Sequence, residues 1–578
     1  MKHAWSQRPG GGRAFAAATT VLFGILGCGE SHRKPEGSAP PGANAAIFTD
    51  ITRESGIDFV HDNGSFGEKY YPERMGSGAA LFDANGDGFL DLFLVNGAPL
   101  PGHPQPSPKP SRLYLGDGAG RFRDATAGSG LERPGYGMGV AAADIDNDGD
   151  TDLYVTRLGG SSLYLNDGKG RFKEIASAGG AIGGGFCTSS AWVDIDADGL
   201  LDLYVCRYVP WNSPKDDYRC TNPEGEKAYC SVHVYPGLEH RLYRNAGVRG
   251  GAPRFEDITR KAGIAGHIAR GLAIVAGDYD QDGDQDLFVA DDETPNFLWN
   301  NQGKGRFEDR GVLAGFALNE EGRATAGMGL DMADVDGNGW DDVIESDFHG
   351  QRKTLYVADG SGLFTPNAGN KGLGEMPINR LGFGIGFLDF DLDGWLDVFI
   401  ANGHVNDDME KAVPPVPYKQ TAQLFRNSSG GLFSDATAQL GSYGATPHLG
   451  RGTAFGDIDN DGDVDLVVAN NGEAPVLLRN DRPAGNHWMG IRFIGKESNR
   501  LGIGARVILE AGGRTQTREA RTSYSYLSSS DPRLVFGLGG EATVGKLTVV
   551  WPSGTRQSFE SVHADRYIEI TEGQPLPN

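Results

Sequence analysis

The chain has 578 residues, more than one ordinary hydrophobic core organises, so several domains or a repeat that grows by adding units is expected. Its 88 glycines are about twice the usual share of roughly 7%, yet no collagen period appears and the apolar content is that of a globular chain. A formal charge of -24 without any Lys/Arg-rich stripe argues against a nucleic-acid partner, because phosphate binding needs a basic surface.

At the N-terminus, Lys2, Arg8 and Arg13 precede an apolar run from Ala14 to Leu26. The run is too short for a membrane span, which needs about 20 helical residues, and residues 1–27 read as a signal peptide. Ile25-Leu26-Gly27-Cys28 resembles the lipobox of bacterial lipoproteins, which implies that Cys28 becomes the lipid-bearing first residue. An ordinary signal peptide with an incidental cysteine is the alternative. Residues 28–46, rich in Pro and Gly, read as a flexible tether. The expected location is the cell envelope, at the outer membrane or cell surface, with Cys28 as the sole membrane contact.

From residue 47 to 484 one acidic pattern, DxDxDGxxD, returns seven times. Its candidate ligands are Asp83, Asn85, Asp87 and Asp91; Asp144, Asp146, Asp148 and Asp152; Asp194, Asp196, Asp198 and Asp202; and Asp278, Asp280, Asp282 and Asp286. The series continues with Asp334, Asp336, Asn338 and Asp342; Asp389, Asp391, Asp393 and Asp397; and Asp457, Asp459, Asp461 and Asp465. Each loop precedes a short β-branched or aromatic run, and a Leu-Tyr-x-Asn segment with a Phe-x-Asp after it follows. The seventh copy is split: Leu477 to Asn480 lacks the Phe-x-Asp, and Phe48 to Thr52 at the other end supplies it. Joining the two halves closes a ring without an open sheet edge. The expected fold is therefore all-β, a seven-bladed β-propeller with one acidic loop per blade, followed by a small β-domain. Helical repeats would instead space apolar residues by three and four.

Carboxylates at loop positions one, three, five and nine, with a main-chain carbonyl at seven, offer the six to eight oxygens that calcium prefers, and Gly at six permits the sharp turn. Up to seven Ca2+ ions are expected. An EF-hand is excluded because position twelve is apolar and the flanks are strand-like. Segments such as Met138 to Asp150 resemble the FG-GAP/VCBS repeats of integrin-α-type propellers, which implies calcium in each loop; Asn85 and Asn338 depart from that pattern.

The widest gap between loops holds an insertion from Tyr208 to His240, which reads either as a recognition loop or as a structural cover. Beyond Cys28, Cys187, Cys206, Cys220 and Cys230 suggest two disulfides, with Cys220–Cys230 and Cys187–Cys206 favoured among three connectivities. A shorter candidate is Asn402 to Asp408, in which His404 reads as a turn residue. From 485 to 578 the acidic loops give way to alternating strands. Asn499 to Val507, Ser525 to Ser530 with Phe536 to Gly539, and Val549 to Gly554 resemble the ASPIC/UnbV domain, and with the repeats this resembles the cartilage-acidic-protein-like family.

The expected function is a calcium-stabilised binding or adhesion module, monomeric, that recognises an extracellular protein or glycan. No Gly-x-Ser-x-Gly elbow, His-Glu-x-x-His helix or phosphate loop appears in the sequence. The alternative is an enzyme acting on an extracellular polymer through acids outside the loops, such as Glu293, Glu345, Asp347 or Asp407.

Overall fold

The structure, a computed structural model, describes residues 46–576 apart from 106, 176–180, 182, 368, 374–377 and 412–414. The expectations for the signal peptide, for Cys28 and for nearly all of the tether lie outside the described residues. Among the described residues no helix is long and apolar enough to cross a membrane. The architecture is all-β, with helical structure confined to short turns such as Gly311–Ala314 and Gly441–Ala445.

Seven four-stranded antiparallel units carry the repeat. In the second, Gly137–Ala143 pairs with Asp152–Arg157, which pairs with Ser162–Asn166, which pairs with Phe172–Glu174. The other six begin with Ala79–Phe82, Cys187–Val193, Gly271–Gly277, Gly327–Ala333, Gly382–Leu388 and Gly450–Gly456. The outer strand of the seventh comes from the opposite end of the chain, with Phe48 opposite Asn480 and Asp50 opposite Leu478. Each acidic loop joins a first strand to its second. The connections from second to third strand therefore lie at the other end of every sheet.

A strand between two neighbouring sheets is buried on both faces, so it reads as a continuous apolar run rather than an alternation. Leu153 enters the core shared with the first sheet, and Tyr154 the core shared with the third. Among the described residues seven such layers recur. In the last, Leu81 and Leu92 of the first sheet pack with Ala454 and Val467 of the seventh, so the packing returns to its start.

The C-terminal strands form two sheets, one centred on His487–Ile494 and the other on Arg506–Ala511 and Thr543–Val550, around Met489, Val507, Leu547 and Trp551. From this body the pair Ser523–Tyr524 and Ser528–Ser529 runs in among the first strands of the repeat sheets. Backbone N–H groups on those strands donate to it. Val140 N reaches Leu527 O at 3.0 Å and Leu330 N reaches Ser525 O at 3.1 Å. Hydroxyl oxygens of Ser525, Ser528, Ser529 and Ser530 accept from Ile385, Ala79, Ala142 and Phe455 at 3.1–3.2 Å. Edge groups with no further strand to pair with thus find partners in a serine-rich segment.

In the insertion, Cys220 and Cys230 form a disulfide. Cys187 and Cys206 do not, which corrects the favoured pairing: both are free and buried. Cys187 lies opposite Arg207 on the paired strand, so Cys206, one residue on, faces the other side of the sheet. Their sulfurs sit in different inter-sheet cores.

Candidate metal-binding loops

The aspartate at loop position one folds the turn onto itself. In the second loop, Asp144 accepts N–H bonds from Asp148 at 3.1 Å and Gly149 at 2.8 Å. The same bonds recur at Asp194, Asp278, Asp334 and Asp457, while Asp83 takes Gly86 and Gly88, and Asp389 takes Gly394. The glycine at position six is left-handed in every copy, from +80° at Gly199 to +102° at Gly149, which explains its invariance along the chain. Position four is also left-handed, and there Asn147, Ala197, Gln281, Leu392 and Asn460 adopt a conformation that glycine favours.

Position nine has a task that the spacing did not reveal. One carboxylate oxygen of each closing aspartate accepts the N–H of loop position two, as from Ala84 to Asp91 and from Ile458 to Asp465, both at 2.8 Å. The other accepts an N–H from the third strand, as from Asn166 to Asp152 at 2.8 Å and from Asn427 to Asp397 at 2.7 Å. Asp202, Asp286 and Asp342 repeat the clip. These aspartates thus staple three strands whatever else they bind, and each oxygen keeps a second lone pair.

Position three carries the observation that bears most on a cation. One oxygen each of Asp146, Asp196, Asp280 and Asp459 is buried without a hydrogen-bond partner, as is one of Asp389 in the sixth loop. Asp146 lies with Asp144 and Asp152 in a group whose oxygens fall within 4.8 Å of one another. Equivalent groups form at Asp194, Asp196 and Asp202; Asp278, Asp280 and Asp282; Asp389, Asp391 and Asp397; and Asp457, Asp459 and Asp465. A buried, unpaired carboxylate is costly unless a cation or proton meets it. Burial, reinforced by neighbouring acids, pushes Asp144 and Asp278 up to about 7 and Asp194 and Asp457 up to about 6. An all-oxygen donor set of this kind fits a hard divalent ion.

The seven loops are not equivalent. Arg244 bridges Asp196 at 2.7 Å and Asp198 at 2.8 Å, and Arg426 bridges Asp391 at 2.6 Å and Asp393 at 3.0 Å. Lys371 lies 3.6 Å from Asp336. The C-terminal sheets rest on this end of the circuit: Arg506 donates to Gly339 O at 2.6 Å, Arg514 to Asp393 O at 2.8 Å, and Tyr567 to Asp457 Oδ2 at 2.7 Å.

The acids considered for catalysis are placed differently. Glu345 and Asp347 are fully buried; Glu345 accepts from Thr325, Asn296 and Tyr356, and Lys353 donates to Asp347 O at 2.6 Å. Asp407 pairs with Lys69 at the surface. His404 is fully buried, with Nε2 2.9 Å from His349 Nδ1, a partner that its local sequence does not announce.

Comparison with known proteins places these features among others. The FG-GAP-like repeat model matches residues 83–155, 144–205, 278–345 and 389–468, and the ASPIC and UnbV model matches residues 495–576. Cartilage acidic protein 1 of Mus musculus is 26% identical over 333 residues, 54% of this chain and 47% of that protein. Its Homo sapiens counterpart is 25% identical over 315 residues, 52% of this chain and 43% of that protein. The chain thus spans less than half the length of the curated relatives it matches. Among solved structures, an Agrocybe aegerita lectin that recognises non-reducing terminal N-acetylglucosamine aligns with a TM-score of 0.39 and 15% identity, over 69% of this chain and 87% of that one. A Bacillus licheniformis rhamnogalacturonan lyase aligns with a TM-score of 0.30 and 14% identity, over 89% and 92% of the two chains.

Proposed function

We infer, for a chain that belongs with the proteins carrying FG-GAP-like repeats and an ASPIC and UnbV domain, that it is a calcium-stabilised binding module displayed outside the cell. The repeats form a seven-bladed β-propeller with a calcium ion in each acidic loop, and the end of the propeller away from those loops meets an extracellular protein or polysaccharide. Export and a lipid anchor at Cys28 place it at the cell envelope.

The observation that carries the reading is the repeated buried, unpartnered carboxylate oxygen at loop position three. One such oxygen is a local accident; four at the same loop position, within a backbone frame already stapled by positions one and nine, make a set of oxygen cages. When bound, the ion supplies positive charge that offsets the mutual repulsion of each cage; the chain's own groups orient the turn. The C-terminal sheets rest against part of the loop end, and the connections at the opposite end offer a surface to meet a partner.

The test applies purified mature protein to arrays of glycans and extracellular proteins with calcium and with chelator. Retention that requires calcium, without turnover, supports the binding module. Chemical change in a retained polymer would favour an enzyme instead, and retention indifferent to chelator would separate binding from calcium.

A further inference from the structure

At the end of the sheets opposite the acidic loops, a cavity of about 300 Å3 lies beneath the insertion. That volume is at the lower end of the range of about 300–1,000 Å3 for small-ligand sites. Its floor includes Met75 and Met328, members of the apolar cluster that also holds Tyr526 and Leu527 from the C-terminal segment. Several separate segments build it, residues 229–233 of the insertion among them. Arg74 precedes the first sheet, and Tyr208, Asp292, Phe348 and Asn406 follow the second strands of the third, fourth, fifth and sixth sheets.

The polar groups are held in place before any ligand arrives. Arg74, only 4% exposed, lies with its guanidinium 4.1 Å from the ring centre of Tyr71 and donates to Asn406 Oδ1 at 2.7 Å and Cys230 O at 3.0 Å. Its Nε is buried with no partner. Asp292, 5% exposed, accepts from the Tyr208 hydroxyl, which lies 2.7 Å from that of Tyr71. Glu293 beside it has a φ of +55°, a strained conformation of the kind that clusters at ligand sites.

We propose that this cavity is the ligand site and that it takes a neutral sugar residue of a glycan. The proposal rests on the binding reading above. Vicinal hydroxyls both donate and accept, and the walls offer a donor-only guanidinium, acceptor-only carboxylates, and hydroxyl and amide groups that do both. The aromatic walls at Tyr71, Tyr208 and Phe348 suit the apolar face of a pyranose ring. An anion would meet Asp292 and Glu293, and a cation would meet Arg74.

The test uses the full mature chain with calcium on a printed array of neutral and acidic glycans, followed by calorimetric titration of the retained glycan. The expected result is retention of neutral glycans, weakened about tenfold or more by Asp292→Asn and by Asn406→Ala at a temperature where both variants remain folded by circular dichroism. Glu293→Gln, at a less buried position, guards against loss of folding in the first variant. A neutral glycan bound with parental affinity by all three variants overturns the cavity assignment but leaves the binding reading standing. Retention of acidic glycans alone, or of a protein alone, overturns the sugar class and also leaves that reading standing. Retention of nothing removes both.

Discussion

The glycine at loop position six decides whether each acidic turn can close, and its neighbours decide how much a substitution costs. Gly283 and Gly462 share a φ of +96°, but a Cβ at Gly283 meets nothing within 4 Å, whereas at Gly462 it would come within 1.9 Å of the Trp488 ring. Gly283→Ala is expected to cost about 1–2 kcal/mol from backbone strain alone. Gly462→Ala adds the displacement of a buried tryptophan, and thermal denaturation of the two variants should rank them in that order. The arginine bridges in the third and sixth loops give a second expectation. Arg244→Gln and Arg426→Gln remove a competing cation and are expected to raise calcium affinity there about twofold to fivefold, read by calorimetry. A third concerns His61, fully buried, whose Nδ1 accepts from Gly472 N at 3.1 Å and whose pKa burial lowers to about 3. Because the folded value lies below the unfolded one, its contribution is whole above pH 6.5 and is lost as pH falls toward 3, by about 1.4 kcal/mol per pH unit. His61→Gln should therefore lose less stability than the parent between pH 6.5 and 5 in denaturant titrations. At this scale the ligand positions were legible because seven copies fixed the offsets. The backbone clip at position nine was not, since its second partner lies on a strand at a variable distance along the chain.

Among the elements, the split repeat was readable from either end, because a Leu-Tyr-x-Asn without its Phe-x-Asp at one terminus is matched by a Phe-x-Asp without its partner at the other. The segment from Ser523 to Ser530 was not. Its sequence advertises a turn-rich stretch, and its partners lie 449 residues away at Ala79 and 140 away at Ile385. The cysteine expectation failed for a related reason, since nearness in sequence across a hairpin says nothing about which face each side chain takes. Removing a serine hydroxyl here leaves a buried backbone N–H without an acceptor. Ser528→Ala and Ser530→Ala are each expected to cost about 1–3 kcal/mol, measured by chemical denaturation. A chain ending at residue 484 should melt lower than the parent and aggregate through the uncovered first-strand edges.

For the whole molecule, chain order, charge and repeat combine in one account. The acids of the seven loops are gathered at one end of the sheets, where the C-terminal sheets set Arg506, Arg514 and Tyr567 against the loops. The opposite end carries the insertion and the cavity of about 300 Å3. The repeated acidic pattern announced the first of these ends and was silent on the second, because the separate segments that build the cavity share no motif. The central claim is that the acidic loops are calcium cages. Elemental analysis of the purified mature chain, dialysed against calcium and then against metal-free buffer, tests it most directly. The account predicts at least five tightly held calcium ions per chain, one for each carboxylate group that converges within 4.8 Å, and a melting temperature that falls on chelation. One ion or none, with melting indifferent to chelator, would contradict it.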